Sequence, residues 1–142
     1  MALFTTDQVL VPTDFSGAAN RVLEDTLAFV ADAGQVHVLH VLPNLNPGEP
    51  GVMWKTIDNR SRTDHVYQEF QKRYSGPLYE RVQFQVAIGD PSNQIAHYAQ
   101  VHAINLIVIP SHGRKGISHF LLGSVAERVS RCAPCPVLIV RR

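Results

Sequence analysis

Cysteine is scarce in this sequence, with two in 142 residues, Cys132 and Cys135. Two thiols cannot make the framework of a disulfide-stapled secreted domain, which favours a reducing compartment. Charge of one sign is scarce as well. Thirteen Lys and Arg face 12 Asp and Glu, for a formal net charge of +1, and no run of Lys or Arg forms a patch. A general attraction to nucleic acid or to an anionic membrane surface is therefore excluded, and any anion site must be local. No apolar stretch approaches the roughly 20 residues of a membrane span. The opening MALFTTDQVLVPTD also lacks a basic flank ahead of a long apolar core. These absences lead to the expectation of a soluble, cytoplasmic chain with no membrane or nucleic-acid partner. Catalytic signatures are missing too. The sequence has no G-x-x-x-x-G-K-[ST], no G-x-S-x-G elbow and no carboxylate cluster fit to hold two metals, and the adjacent Ser111 and His112 make no relay. No catalytic residue is assigned.

What is present is the material of one domain over residues 1–142, 45% hydrophobic and 18% charged, enough to bury a substantial core. The hydrophobic period switches repeatedly along it. QVLVP at 8–12 is a short β-branched run. Thr13, Asp14 and Ser16 then offer caps for a helix striped by Val22, Leu23, Leu27 and Val30, with Gly34 as its end. QVHVLHVL at 35–42 makes a second strand, and the PNLNPGEPG that follows is loop. A helical stripe through Val66, Phe70 and Tyr74 closes at Ser75-Gly76-Pro77. RVQFQV at 81–86 alternates strictly, as an edge strand with one wet face does. Asp90-Pro91 reads as N-cap and first helical residue, with Ile95, Ala99 and Ala103 facing inward. NLIVI at 105–109 lacks polar alternation after Asn105, which marks a strand covered on both faces. Ser124 and Glu127 have the spacing of a capping box for a last helix through Val125, Val129 and Cys132, and PVLIV, from Pro136 to its end at Val140, is the final strand.

Alternating strands and helices imply an α/β fold, a five-stranded parallel sheet with helices on both faces. Ligands of such open sheets bind beyond the carboxyl ends of strands, where the strand order reverses. The candidate ends are Pro12-Thr13-Asp14, Val41-Leu42-Pro43 and the segment 110–124. That last segment has a logic for phosphate: glycines let backbone N–H groups approach an anion, a helix start favours negative charge, and Arg114 and Lys115 add positive charge. A plainer reading stands beside it, with Gly116 and Gly123 as turn residues and Ser124 as a helix cap. Asp14 likewise reads as a turn or capping residue ahead of the first helix, with a carboxylate placed at a strand end.

Cys132 and Cys135 have dithiol spacing, but a second thiol pair for zinc is missing, Cys132 falls on the inward stripe, and Cys135 lies between prolines. The histidines are poorly matched for a metal: His37 and His40 face opposite sides of a strand, and His97 and His102 are five apart on a helix. His112 and His119 lie in the glycine-bearing loop, where they either touch a phosphate or, as most such residues do, serve simply as surface polar groups. No metal ligand is assigned.

The stretches VLVPTDFSGAANRVLEDTLAFVADAGQVHVLHV, GDPSNQIAHYA and SHGRKGISHFLLGSVAERVSRCAPCPVLIVRR together resemble the universal stress protein family over nearly the whole chain, apart from 43–66. The resemblance implies an open α/β sandwich, Rossmann-like and of the adenine nucleotide alpha hydrolase-like kind. It also implies a homodimer paired through its last strand, often binding ATP or AMP in the cytoplasm. It does not imply a well-defined enzyme, at most slow hydrolysis of ATP with Mg. The nucleotide-binding branch carries G-x-x-G, nine residues, then G-[ST]. Here Gly113, the nine residues RKGISHFLL and Gly123-Ser124 match, while Pro110 replaces the first Gly. By resemblance, Asp14 and Val41 belong to the adenosine end, with Pro12 shaping the turn. Ile109 and Pro110 then lie beside base or ribose, and Gly113, Arg114, Gly123, Ser124 and Val125 belong to the phosphates.

Two functions follow as expectations. One is a stress-response regulator that binds ATP or AMP and meets an unknown protein partner. The other is a dimeric interaction protein in which the Pro110 ring closes the pocket and removes a donor. The apolar final strand, last in order, is expected at a sheet edge, where pairing with a second copy hides its open hydrogen bonds. The loop at 43–62, with Trp54, is expected to cover either the pocket or a partner surface.

Overall fold

The computed structural model describes residues 3–48, 58–112 and 122–141. The β-branched run near the N-terminus forms β1, Val9–Pro12, and its residues Val9, Leu10 and Val11 are fully buried because strands lie on both sides of it. The element order continues with α1 (Gly17–Phe29), a 3₁₀ turn (Ala33–Gln35), β2 (Val36–Leu42), α2 (Asn59–Arg73), α3 (Pro77–Glu80), β3 (Gln83–Ile88), α4 (Pro91–Val101), β4 (Leu106–Pro110), α5 (Ser124–Cys132) and β5 (Val137–Val140). All strand pairs are parallel, in the order β3-β2-β1-β4-β5. The alternating strand and helix pattern thus gives the expected doubly covered sheet. β4 is interior and apolar throughout. β3 and β5 are the two edges, β3 with Gln83 and Gln85 exposed on its wet face.

Period-two alternation divides the core. Val9, Val11, Val36, Val38, Leu106 and Val108 face α1 and α2, meeting Val22, Leu23, Val66 and Phe70. Leu10, Leu39, Ile107 and Ile109 face α4 and α5, meeting Ile95, Ala99, Ala126 and Val129. His37 and His40 take opposite sides of β2 as their spacing requires. His37 packs on Tyr98 and His102, and His40 on Phe15.

Helix ends show where local signals succeed and fail. Asp90 caps α4, accepting from Asn93 N–H at 3.1 Å, with Pro91 in the first turn. Ser16 is the residue that caps α1, accepting from Ala19 N–H at 3.2 Å. Gly34 does not end α1. The helix stops at Phe29, Val30 turns extended, and Gly34 lies inside the 3₁₀ turn, donating to Asp32 Oδ1 at 2.8 Å. Ala103 is not part of the inward stripe of α4. It sits past the helix with φ 52°, exposed, in a turn that lets Ile104 N–H reach Ala99 O at 2.9 Å. The expected capping box of α5 is also absent. Gly123, which has no side chain to cap with, is the N-cap, and Ser124 is the first helical residue. The cause is a tertiary contact: Gly123 N–H donates to Ser111 O at 2.7 Å, and a Cβ at residue 123 would lie 2.9 Å from that same oxygen. Cys132 is exposed at the end of α5 rather than inward, because Ala126 and Val129 carry the buried stripe. Cys135 is half-buried, and burial pushes its thiol pKa up, away from a reactive thiolate.

His37 is buried between Tyr98, whose hydroxyl is 2.7 Å from Nδ1, and Gln8, whose Oε1 is 2.6 Å from Nε2. The amide oxygen accepts, so Nε2 carries the proton and Tyr98 donates to Nδ1. Burial first, and the neighbouring His102 second, hold the His37 pKa below the usual 6.5. On acidification the unfolded chain therefore takes up this proton first, and the stability His37 contributes, present above about 6.5, drains as pH falls through its lowered pKa. Urea titrations from pH 7.5 to 5.5 are expected to show a falling midpoint for the native chain and a flatter profile for His37→Gln, whatever its absolute stability. A second expectation concerns the α5 start. Gly123→Ala should cost about 1–3 kcal/mol in the same assay at neutral pH, because the new methyl group meets backbone.

Candidate functional site

The strand order reverses at β1, whose successors β2 and β3 lie on one side and β4 and β5 on the other. Pairing of β1 with β4 stops early, after Val9 opposite Leu106 and Leu10 opposite Ile107. Two prolines explain the stop. Thr13 N–H donates to Leu39 O of β2 at 2.9 Å, so by alternation Pro12 points its backbone nitrogen at β4. Ile107 and Ser111 donate to Pro136 O and Val140 O on the β5 side, so Pro110 points its nitrogen at β1. Continuing the ladder needs an N–H from each proline, and neither has one. The strands part there, and the gap opens into a cleft of about 320 Å³.

From β1 and its turn the cleft takes Pro12, Thr13 and Asp14, and from β2 it takes Leu39, His40 and Val41. Ile109, Pro110 and Ser111 come from the end of β4, and Gly123, Ser124 and Val125 from the start of α5. Ala19, Ile95 and Ala126 complete its apolar walls, and its polar groups come chiefly from the turn after β1 and from the start of α5.

One end is the turn after β1. Thr13 Oγ1 accepts from Phe15 N–H at 3.0 Å, and Asp14 Oδ1 accepts from Ser16 N–H at 2.9 Å, so the carboxylate is oriented by the helix start that follows it. Phe15 has φ 60°, a left-handed conformation that costs a side-chain-bearing residue roughly 1–2 kcal/mol. Packing repays it: the Phe15 ring lies 4.9 Å from His40 and 6.5 Å from Phe84, with the Arg73 guanidinium 5.3 Å from its centroid. The other end is the start of α5. Glu127 N–H, bonded to Gly123 O at 2.9 Å, is the first donor used within the helix, so the N–H groups of Ser124, Val125 and Ala126 have no intrahelical acceptor, and the helix presents the positive end of its dipole to the cleft.

Of the residues nominated from sequence, Pro12, Asp14, Val41, Ile109, Pro110, Gly123, Ser124 and Val125 all line this one cleft. Pro110 stands at the end of β4 in that lining. Gly113, Arg114, Lys115, Gly116, His119 and Trp54 lie outside the described residues. Sequence reasoning missed His40 and Ser111 as parts of the site. His40 had one available signal, its place near the carboxyl end of a parallel strand beside Val41. Among the described residues no group of three His, Cys, Asp or Glu could hold a metal ion, and no helix is long and apolar enough to cross a membrane.

The sequence profile of the universal stress protein family matches residues 5–141. A universal stress protein of Methanocaldococcus jannaschii is 30% identical over 142 aligned positions, covering 95% of this chain and 82% of that protein. A second one from the same archaeon is 27% identical over 95% of this chain and 94% of its own. The solved structure of that second protein superposes with a TM-score of 0.76 over 97% of this chain and 98% of that one. At 18% identity, a universal stress protein family protein from Arabidopsis thaliana, solved with AMP bound, shares the fold with a TM-score of 0.59 over 95% of this chain and 91% of that one. With the profile matched almost end to end and the parallel order β3-β2-β1-β4-β5 in place, the chain belongs to the universal stress protein family.

Proposed function

We propose that the cleft between β1 and β4 binds an adenine nucleotide, AMP or ATP, the latter with Mg held by its own phosphates. The observation that carries this reading is the pairing of ends: an oriented carboxylate at Asp14 and a glycine-capped helix start at Gly123 face one apolar cleft. Asp14 accepts from the adenosine, Val41 and Ile109 pack on base or ribose, and Pro12 and Pro110 shape the mouth. The N–H groups of Ser124 and Val125 take the phosphates, and Gly113 and Arg114 add to them as the family motif implies. The Arabidopsis family member with bound AMP supports the ligand class. We read the protein as a nucleotide-dependent regulator rather than a catalyst. The rest of the reading is a single-domain, cytoplasmic homodimer that meets a protein partner according to its nucleotide state.

The dimer reading rests on β5. It is an edge strand with Leu138 exposed, and by alternation with the β4-facing carbonyls of Pro136 and Val140 its residues Val137 and Ile139 point their N–H groups outward. A second function, an interaction protein without nucleotide, is favoured by one observation, the proline where the motif has glycine.

Calorimetry with AMP and Mg-ATP separates the two. The native chain is expected to bind, Pro110→Gly to bind comparably, and Asp14→Ala to weaken binding by about 10- to 100-fold, the worth of a hydrogen bond to a charged group. No binding by the native chain, with gain on Pro110→Gly, would overturn the nucleotide reading. Sedimentation is expected to show dimers for the native chain and monomers for Ile139→Pro, which deletes an outward donor without touching the β4 ladder. Native monomers at micromolar concentration refute the dimer.

A further inference from the structure

The turn that carries Asp14 is held from outside itself, and one of the groups holding it is a cleft residue without an assigned role. His40 Nδ1 lies 2.8 Å from Thr13 O. A carbonyl oxygen only accepts, so Nδ1 carries a proton and donates. The same imidazole packs on Phe15, the residue with φ 60° that immediately follows Asp14. Farther round, Arg73 Nη1 donates to Phe15 O at 3.4 Å. A left-handed residue that is not glycine persists only where its surroundings over-determine it. Here β2 fixes the peptide before Asp14 through His40, and α2 fixes the peptide after Phe15 through Arg73. Asp14 sits between the two fixed points, its carboxylate turned by Ser16 N–H.

We propose that His40 is a positioning residue of the nucleotide site, its Nδ1–H holding the Thr13 carbonyl so that the turn presents Asp14 to the ligand. The inference rests on the nucleotide reading of the cleft. His40 acts through Asp14, so removing its bond leaves the carboxylate in place chemically but spreads it over several orientations, and affinity falls for want of preorganisation.

Three replacements isolate the donor. His40→Asn keeps an amide N–H near the Nδ1 position, His40→Gln places its amide farther out, near Nε2, and His40→Leu has no donor. AMP affinity is expected to stay near native for His40→Asn and to fall roughly three- to tenfold for His40→Gln and His40→Leu, the net worth of one hydrogen bond. In an Asp14→Ala background the same replacements should change affinity by less than about twofold, because the coupling runs through the missing carboxylate. Equal losses for all three variants, or losses that persist in the Asp14→Ala background, overturn the proposal in favour of direct contact or general packing. Hydrogen exchange supplies a readout without nucleotide. The Phe15 and Ser16 amides, bonded to Thr13 Oγ1 and Asp14 Oδ1, should lose protection in His40→Gln and His40→Leu while β2 amides keep theirs. Unchanged protection overturns the positioning role even if the native chain binds no nucleotide. Failure of the nucleotide reading shows separately, as absent binding by the native chain.

Discussion

Where two parallel strands part, their backbone donors lose partners, and a buried N–H without an acceptor is costly. This chain meets that constraint at the reversal of its strand order by placing proline on both strands. Pro12 and Pro110 have no N–H to orphan, so β1 and β4 separate without that penalty and the cleft exists as a property of the backbone. Everything offered to a ligand is arranged around this seam. The oriented Asp14 follows Pro12 by two residues, and Ser111, which receives the Gly123 N–H, follows Pro110 directly.

The Ser111–Gly123 contact ties the seam to α5. Ser111 donates to β5 through its N–H and accepts from Gly123 through its carbonyl, so one buried residue links the last strand, the end of β4 and the start of the last helix. The position of the helix start is thereby set by the sheet rather than by a cap. The result is a helix terminus whose first three N–H groups have no acceptor within the helix.

Much of the fold was legible because its signals are local or periodic. Asp90-Pro91 starts a helix by chemistry confined to four residues, NLIVI shows by its lack of alternation that β4 is interior, and RVQFQV shows by its alternation that β3 is an edge. Most nominated site residues also fall in one cleft, since strand ends are readable and the sheet brings them together. The illegible parts depend on contacts far apart in sequence. Ser124 looks like a cap until Ser111 O is seen to exclude a Cβ at 123. Cys132 fits a helical stripe that the packing of α4 against α5 ends at Val129, and Gly34 was taken by a capping pair, Asp32 and Gln35, that acts only after the helix has already stopped. His40 reads as one more strand residue until its ring is found against the turn that precedes α1.

The division of the core by the sheet carries a consequence for how this sequence can change. The side chains facing α1 and α2 and those facing α4 and α5 form two separate clusters, on opposite sides of a backbone layer. Changes in one cluster that keep its volume reach the other only by moving that shared layer, so their free energies should add across it while coupling within each side. The chain can therefore drift on its two faces almost independently, as two small proteins sharing one sheet, provided the strand ends at the seam stay where they are.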